Sequence, residues 1–267
     1  MRVHHLTDPD DPAAAPFRDI PTYDRREETD TFVVESRQCV RRLIDSGRFP
    51  IRALLCTPPA LRALAPMLET LIPQPVVCEA EVPIVKAITG FGFHRGCLAI
   101  ADRGSAIDPT SLAERATTLV ALDAVSDPDN VGAIFRNALA FEVDGVLLSP
   151  TAGDPLYRKA TRVSVGATLS VPFARSLDFA TDLAMLGSAG FERIALTPDG
   201  APLPPGHALR THGRRVLLVG SEADGLGAVA RAAADRLVAI PMAAASDSLN
   251  VATATGIALY AMFTGRS

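Results

Sequence analysis

Three short stretches of the chain concentrate polar residues far above their surroundings. The first, residues 123–137, reads DAVSDPDNVGAIFRN. Asp127, Pro128, Asp129 and Asn130 are turn formers, and Asn130 suits the N-cap of a following helix that carries Arg136 and Asn137 about two turns further in. Alone, this is a capped helix with a surface arginine. The second, GSEADGLG at residues 220–227, directly follows the apolar run Val216, Leu217, Leu218 and Val219. A Gly/Ser loop leaving the carboxyl end of a parallel strand is where open α/β sheets bind ligands. Its glycines at 220, 225 and 227 do not form G-x-G-x-x-G, and no Lys-Ser/Thr pair follows them. Dinucleotide and Walker-type phosphate fingerprints are therefore absent. Without a ligand the loop reads as a tight turn with two acids near a helix start. The third stretch is Ile240, Pro241 and Met242, an Ala/Ser-rich loop, then Ser248, Leu249, Asn250 and Val251. Ser248 or Asn250 suits a helix cap, yet two caps are more than one helix start needs.

Other chemistries find no support. Cysteines 39, 56, 78 and 97 make no C-x-x-C pair, which argues for buried reduced thiols. The five histidines (4, 5, 94, 207 and 212) form no ligand cluster, so no metal is expected.

The elements that must position these stretches follow from apolar pattern and punctuation. Residues 1–30 read as a polar, acidic tail with prolines and no apolar period. In residues 31–101, strands are predicted at 32–34, 51–56, 76–78 and 97–101. Helices are predicted across Cys39 to Ile44 (stopped by Ser46 and Gly47), at 58–71 and at 82–88, giving a small α/β sandwich. Residues 102–115, DRGSAIDPTSLAER, read as a linker. From 116 onward, strands at 117–122, 143–149, 169–174, 191–197, 216–219 and 237–240 alternate with helices at 130–141, 155–163, 177–189, 227–234 and 248–263. Strands apolar on both faces imply a mostly parallel sheet covered on both sides.

In this order and spacing, the three stretches resemble the signature motifs of the SpoU (TrmH-like) RNA 2′-O-ribose methyltransferases of the SPOUT superfamily. The first matches N-x-G-x-x-x-R at Asn130, Gly132 and Arg136; the second matches G-x-E-x-x-G at Gly220, Glu222 and Gly225. The third matches I-P-M and S-L-N-V at residues 240–242 and 248–251. Residues 31–101 resemble the small substrate-binding domain of many members, except that Glu35 is followed by Ser36 where the family usually has Glu-Gly. The resemblance implies a trefoil-knotted catalytic domain over 116–267, S-adenosylmethionine bound bent within the knot, and a homodimer. It implies Arg136 as the catalytic residue, with Asn130, Glu222, Ser248 and Asn250 aligning it and the ribose. It places the cofactor mostly on main chain around Leu218, Gly220, Ile240, Met242 and Leu249, with Asn250 also in contact.

Guanidinium pKa exceeds ~12 and barely falls in proteins, so a cation that orients phosphate and stabilises the emerging alkoxide is preferred for Arg136 over a general base. RNA contacts are expected at Arg37, Arg41, Arg95, Arg158, Lys159 and Arg162, while Arg214 and Arg215 read as a solvated face. The terminal helix, with Val251, Ile257, Leu259, Met262 and Phe263, carries more apolar surface than one face needs, consistent with the homodimer. Ribosomal RNA is the expected substrate. The alternatives are tRNA, or a knotted RNA-binding protein without catalysis.

The 267 residues suffice for one large domain or two small ones. The net charge of −4 resides in residues 1–30, with eight acids and four bases, and the rest balances. Overall acidity is therefore no argument against a nucleic-acid partner. Of 26 basic residues 24 are Arg, a bias that phosphate binding and a GC-rich genome explain equally well. No apolar run reaches the ~18 residues of a membrane span, and the N-terminus lacks the apolar core of a secretion signal, so a cytoplasmic protein is expected.

Overall fold

A computed structural model describes residues 1–18, 20, 30–90, 96–203, 213–243 and 248–262. The chain divides into two compact units, residues 1–105 with 156–170, and residues 106–155 with 171–267.

The first unit is built on strands β1 (Val3–His5), β2 (Thr31–Glu35), β3 (Ile51–Cys56), β4 (Val76–Glu79) and β5 (Cys97–Asp102), in the order β1-β4-β3-β5-β2. β1, β4 and β3 run parallel, and β5 runs antiparallel to β3 and β2. Helices α1 (Arg37–Ser46), α2 (Pro58–Leu68) and α3 (Val82–Thr89) connect them. α1 stops where predicted because Gly47 takes φ +59°, a left-handed cap open to glycine at little cost. Ser36, ahead of α1, adopts φ +88° and ψ 145°, a conformation suited to glycine. A glycine, which the resemblance implies at this position, would adopt it without strain.

Residues 1–30 are not a tail throughout. β1 extends the sheet, a 3₁₀ helix spans Pro12–Phe17, and Ala14, Phe17 and Ile20 are fully buried in one core with Val33, Leu55 and Leu98. Three residues spaced three apart are too few to mark a helix or strand, and the prolines at 12, 16 and 21 interrupt any longer period, so they gave no sequence signal. A second correction concerns residues 156–170, which belong to this unit rather than to the second one. Here α6 (Arg158–Val163) and α7 (Ala167–Ser170) follow one another, and the strand expected from 169 begins only at Phe173. The Cys39 thiol faces the Thr161 carbonyl at 3.7 Å, and Arg42 donates to the Val165 carbonyl at 2.8 Å.

The second unit opens with α4 (Pro109–Arg115), inside the segment expected to be a linker. Asp108 caps it by accepting from the Thr110 and Ser111 amides, and Leu112 and Ala113 are buried in the second core. Its strands are β6 (Thr118–Asp123), β7 (Gly145–Leu148), β8 (Phe173–Arg175), β9 (Phe191–Pro202), β10 (Arg214–Gly220) and β11 (Arg236–Ala239). They form one parallel sheet in the order β11-β9-β10-β6-β7-β8. Helices α5 (Pro128–Ala140), α8 (Phe179–Ser188), α9 (Ala228–Ala233) and α10 (Val251–Met262) complete the unit. Arg214 and Arg215 are not a solvated face. Arg214 donates to the carbonyls of Ala116 and Ala189 and lies over the Phe191 ring, and Arg215 is buried.

All four cysteines are buried and free of disulfides. A hydrogen bond with Cys56, followed by burial, raises the Cys97 thiol; burial raises Cys78 to about 11. Both stay protonated at neutral pH and are poor nucleophiles.

Burial of Phe17 makes the N-terminal segment part of the fold. Phe17→Ala is expected to destabilise the first unit by about 3–5 kcal/mol, as for other buried phenylalanines. Chemical denaturation checks it, since a change of under about 0.5 kcal/mol is what a surface tail would show.

Candidate active site

The three polar stretches meet in the second unit at the carboxyl ends of its central strands. After β10, the loop of residues 220–227 turns sharply: the Gly225 amide donates to the Ser221 carbonyl at 3.0 Å, and Gly225 takes φ +67°. A Cβ on Gly220 would overlap the backbone of Gly225, so the loop closes only over glycine. Asp123, at the end of β6, braces the far side by accepting from the Gly227 amide at 2.7 Å.

Asn250 joins the stretches to each other. Its Oδ1 accepts from the Ala252 and Thr253 amides at 3.0 and 3.2 Å, capping α10. Its Nδ2 donates to Asn130 Oδ1 and to Glu222 Oε1, both at 2.8 Å. With both halves of the amide engaged, its orientation is set. The apparent surplus of caps is thereby resolved: Asn250 is both cap and bridge. Asn130 is buried, not an N-cap; Asp127 caps α5 instead, accepting from the Asp129 amide at 2.7 Å.

Beside this cluster lies a cavity of about 490 Å³. Of the residues expected to hold a cofactor, Gly220, Ile240, Met242, Leu249 and Asn250 line it, as do Glu222 and Ser248. Leu218 does not. It is fully buried in the core, and its neighbour Val219 faces the cavity instead.

Sequence reasoning missed one wall. β11 pairs with β9 through Leu237 opposite Ala195 and then Val238 opposite Ala201, so residues 196–200 are looped out. Leu196, Thr197 and Pro198 from this excursion line the cavity, as does Arg231 of α9. Arg231 fixes the excursion by donating to Thr197 Oγ1 at 2.9 Å and to both Asp199 oxygens at 3.1 and 2.7 Å. The Arg231 guanidinium, then the Thr197 hydroxyl, hold the Asp199 carboxyl well below the usual carboxylate range. The signal available in advance was Pro198, Asp199 and Gly200, turn residues inside a predicted strand's continuation.

Arg136 stands outside the cavity. It is six residues beyond Asn130 on α5, about 240° around the helix, and exposed. No hydrogen bond or ion pair engages it among the described residues. Leu139, one turn along the same face, and Ile257 and Tyr260 of α10 are also exposed, with Tyr260 edge-on to Phe141. Among the residues expected to contact RNA, Arg37, Arg41 and Arg162 are exposed and Arg158 and Lys159 half-buried, all in the first unit. Arg95 and Phe263 lie outside the described residues. No group of three metal-ligating side chains occurs among the described residues.

The model of the SpoU rRNA Methylase family matches residues 117–260. An uncharacterized tRNA/rRNA methyltransferase of Mycobacterium tuberculosis is 40% identical over 268 residues, covering 97% of this chain and 91% of the relative. The chain belongs to the SpoU rRNA methylase family. Among solved structures, the AdoMet-bound rRNA methyltransferase from Sinorhizobium meliloti is similar to this SpoU protein with a TM-score of 0.80 and 27% identity, over 97% of both chains. The SpoU methyltransferase AviRb from Streptomyces viridochromogenes, at 22% identity and TM-score 0.76 over 92% of this chain and 96% of its own, shares the fold.

The Asn250 bridge is testable. Asn250→Asp keeps the cap but sets a second carboxylate against Glu222, so one of the two titrates with a raised pKa. Stability from a raised folded pKa is present below it and is lost as pH rises. The melting-temperature deficit of Asn250→Asp against the parent is therefore expected to widen as pH climbs from about 4 to 7, starting from carboxylate reference values near ~4. A deficit independent of pH over that interval would refute the contact.

Proposed function

We propose that this SpoU protein transfers a methyl group from S-adenosylmethionine to a ribose 2′-hydroxyl of ribosomal RNA. The observation that carries the reading is the Asn130–Asn250–Glu222 cluster at the edge of the cavity, with each residue on a family motif position. The named activities of the M. tuberculosis and S. meliloti relatives, the latter with AdoMet bound, support it.

The cavity suits the cofactor. It offers apolar wall at Leu196, Val219, Ile240, Met242 and Leu249, and backbone groups at Gly220, where any Cβ would clash with Gly225. An apolar slot with a few fixed polar groups is what an adenine nucleoside requires. When bound, S-adenosylmethionine supplies an electrophilic methyl group.

The protein's task is the nucleophile. A ribose hydroxyl titrates far above neutrality, so the site must stabilise alkoxide character as the proton leaves. Arg136 is the cation for that role, orienting the adjacent phosphate while the proton departs through phosphate or water. Asn130, Glu222, Ser248 and Asn250 align the ribose. Because Arg136 does not line its own chain's cavity, the reading includes a homodimer in which a second copy supplies it. The exposed Leu139, Ile257 and Tyr260 beside it are the apolar surface for that pairing. It also includes the family's trefoil knot within the second unit, supported by β10 lying between β9 and β6 and by the excursion within β9 and residues after β10 and β11 lining one cavity. RNA is held by the basic residues of the first unit, and a cytoplasmic location goes with that substrate. Among the described residues no helix is long and apolar enough to cross a membrane. Transfer RNA is the second candidate substrate, named beside rRNA for the M. tuberculosis relative.

Mapping 2′-O-methyl positions in total RNA with and without the protein tests the reaction and names the RNA. No ribose position gained would overturn it. On the purified chain, light scattering should give twice the 28.1 kDa chain mass at micromolar concentration. For Arg136→Lys, single-turnover methyl transfer is expected to drop strongly while cofactor affinity by calorimetry barely changes, because the bidentate fork is lost and the cavity is untouched. The remaining activity should vanish as pH passes the lysine pKa, near ~10.4 if unperturbed, because the charge goes with the proton. An Arg136→Lys enzyme that accelerates through that titration would make the residue a base.

A further inference from the structure

The first unit contains a second cavity, of about 550 Å³, that the proposed chemistry leaves unused. It lies where α1 and α2 begin. Ser36, Arg37 and Gln38 line it from the start of α1, Thr57 from the residue before α2, and Arg162 from α6, 125 positions away in sequence. Among the described residues no carboxylate lines it. Arg37 and Arg162 are both exposed, and neither has a hydrogen-bonded or ion-paired partner among the described residues. By contrast Arg42 spends its guanidinium on the Val165 carbonyl. Two unpaired guanidiniums over one concave, acid-free surface make a local positive potential that draws an anion. The first-turn amides of α1 point the same way.

The ligand's chemistry follows from what else the cavity holds. Among the described residues no aromatic ring lines it, so these residues offer no platform on which a base could stack. Arg41, one turn beyond Arg37 on the same face of α1, continues the positive stripe past the cavity rim, which suits a polyanion more than a small ion. We propose that this cavity seats one phosphodiester of the RNA substrate between Arg37 and Arg162, positioning the strand without reading its bases. The proposal rests on the RNA methyltransferase reading. It turns two basic clusters that are far apart in sequence into a single phosphate clamp.

The test uses the full chain and labelled single-stranded oligouridylate and oligoadenylate, titrated across a salt series. Arg37→Ala and Arg162→Ala are each expected to weaken both RNAs alike, by about tenfold at low salt, as loss of a phosphate contact does. The double variant should add little to either single change, since both residues hold one phosphate. The slope of log affinity against log salt should shrink by about 0.7, one single-strand phosphate. Arg62→Ala removes an exposed charge of α2 outside the cavity and should leave binding near the parent's. Inorganic phosphate, titrated as competitor, should displace RNA weakly from the parent and less from the variants.

Three results would overturn the clamp: variants that bind like Arg62→Ala, unequal losses on the two RNAs, or phosphate binding lost with RNA binding intact, which marks a free-anion site. Calorimetry with S-adenosylmethionine separates the two levels of failure. A parent chain that binds the cofactor but no RNA refutes the methyltransferase reading and the clamp together. A parent that binds RNA with unaffected arginine variants refutes the clamp alone.

Discussion

One carboxamide holds the candidate active site together. Asn250 sits 120 residues from Asn130 and 28 from Glu222, and its Nδ2 reaches both while its Oδ1 caps the last helix. The start of α10, the loop after β10 and the first turn of α5 therefore share a single hydrogen-bond node. Such a node is costly to disturb, because removing the amide strands Asn130 in its buried position and leaves the α10 amides without an acceptor. Asparagine is also the one side chain of this shape that both accepts from a helix start and donates to a carboxylate without charge. Aspartate would cap equally well and repel Glu222.

The parallel sheet turns that node into a binding site. All six strands point their carboxyl ends the same way, so the segments that follow β6, β10 and β11 and the excursion within β9 gather on one side. Each loop is then shaped by a local constraint. Gly220 lets the β10 loop fold onto Gly225, Asp123 ties down Gly227, and Arg231 pins the excursion of residues 196–200. The Arg231–Asp199 pair is solvent-accessible and contributes little to global stability. Its effect is positional: it keeps Thr197 and Pro198 against the cavity, where a continuous strand would have placed them in the sheet.

How much of this was legible depended on whether a feature had a period or a partner. Strands such as Ile51–Cys56 and the helix stop at Gly47 came directly from apolar runs and from glycine's backbone freedom. The three polar stretches were legible as a set, because their chemistry exceeded what turns and caps require. Phe17 and Ile20 were not, since prolines break the spacing that would mark them as core. Residues 158–163 read correctly as helical, whereas Ala167–Ser170 did not, and the whole stretch 156–170 was given to the wrong unit. Nothing in RKATRV records that Thr161 meets Cys39, or that Arg42 reaches Val165, because both contacts span more than 120 residues. Leu218 illustrates a finer limit. In a strand, adjacent side chains point to opposite faces, so a one-residue uncertainty moves the cavity contact from Leu218 to Val219.

The arginine excess, ambiguous as composition, divides once partners are known. Arg175 donates to the carbonyls of Ser149 and Ala152, Arg214 to those of Ala116 and Ala189, and Arg193 to both oxygens of Asp235. These guanidiniums are internal struts, and their planar forks satisfy backbone or carboxylate oxygens that lysine could reach only singly. Arg37, Arg41, Arg136 and Arg162 form a different class, exposed and with no partner among the described residues. A solvated arginine retains its full rotamer entropy and five donors, all available to an incoming phosphate. Bonding within the chain thus separates arginines that build the fold from those that stay open to solvent. The second class includes Arg136, the first motif's cation, and both guanidiniums over the first unit's cavity. Within residues 31–267, Arg193, Arg231 and Arg236 each pair with one carboxylate, of Asp235, Asp199 and Glu192, whereas the second class has no such pair among the described residues.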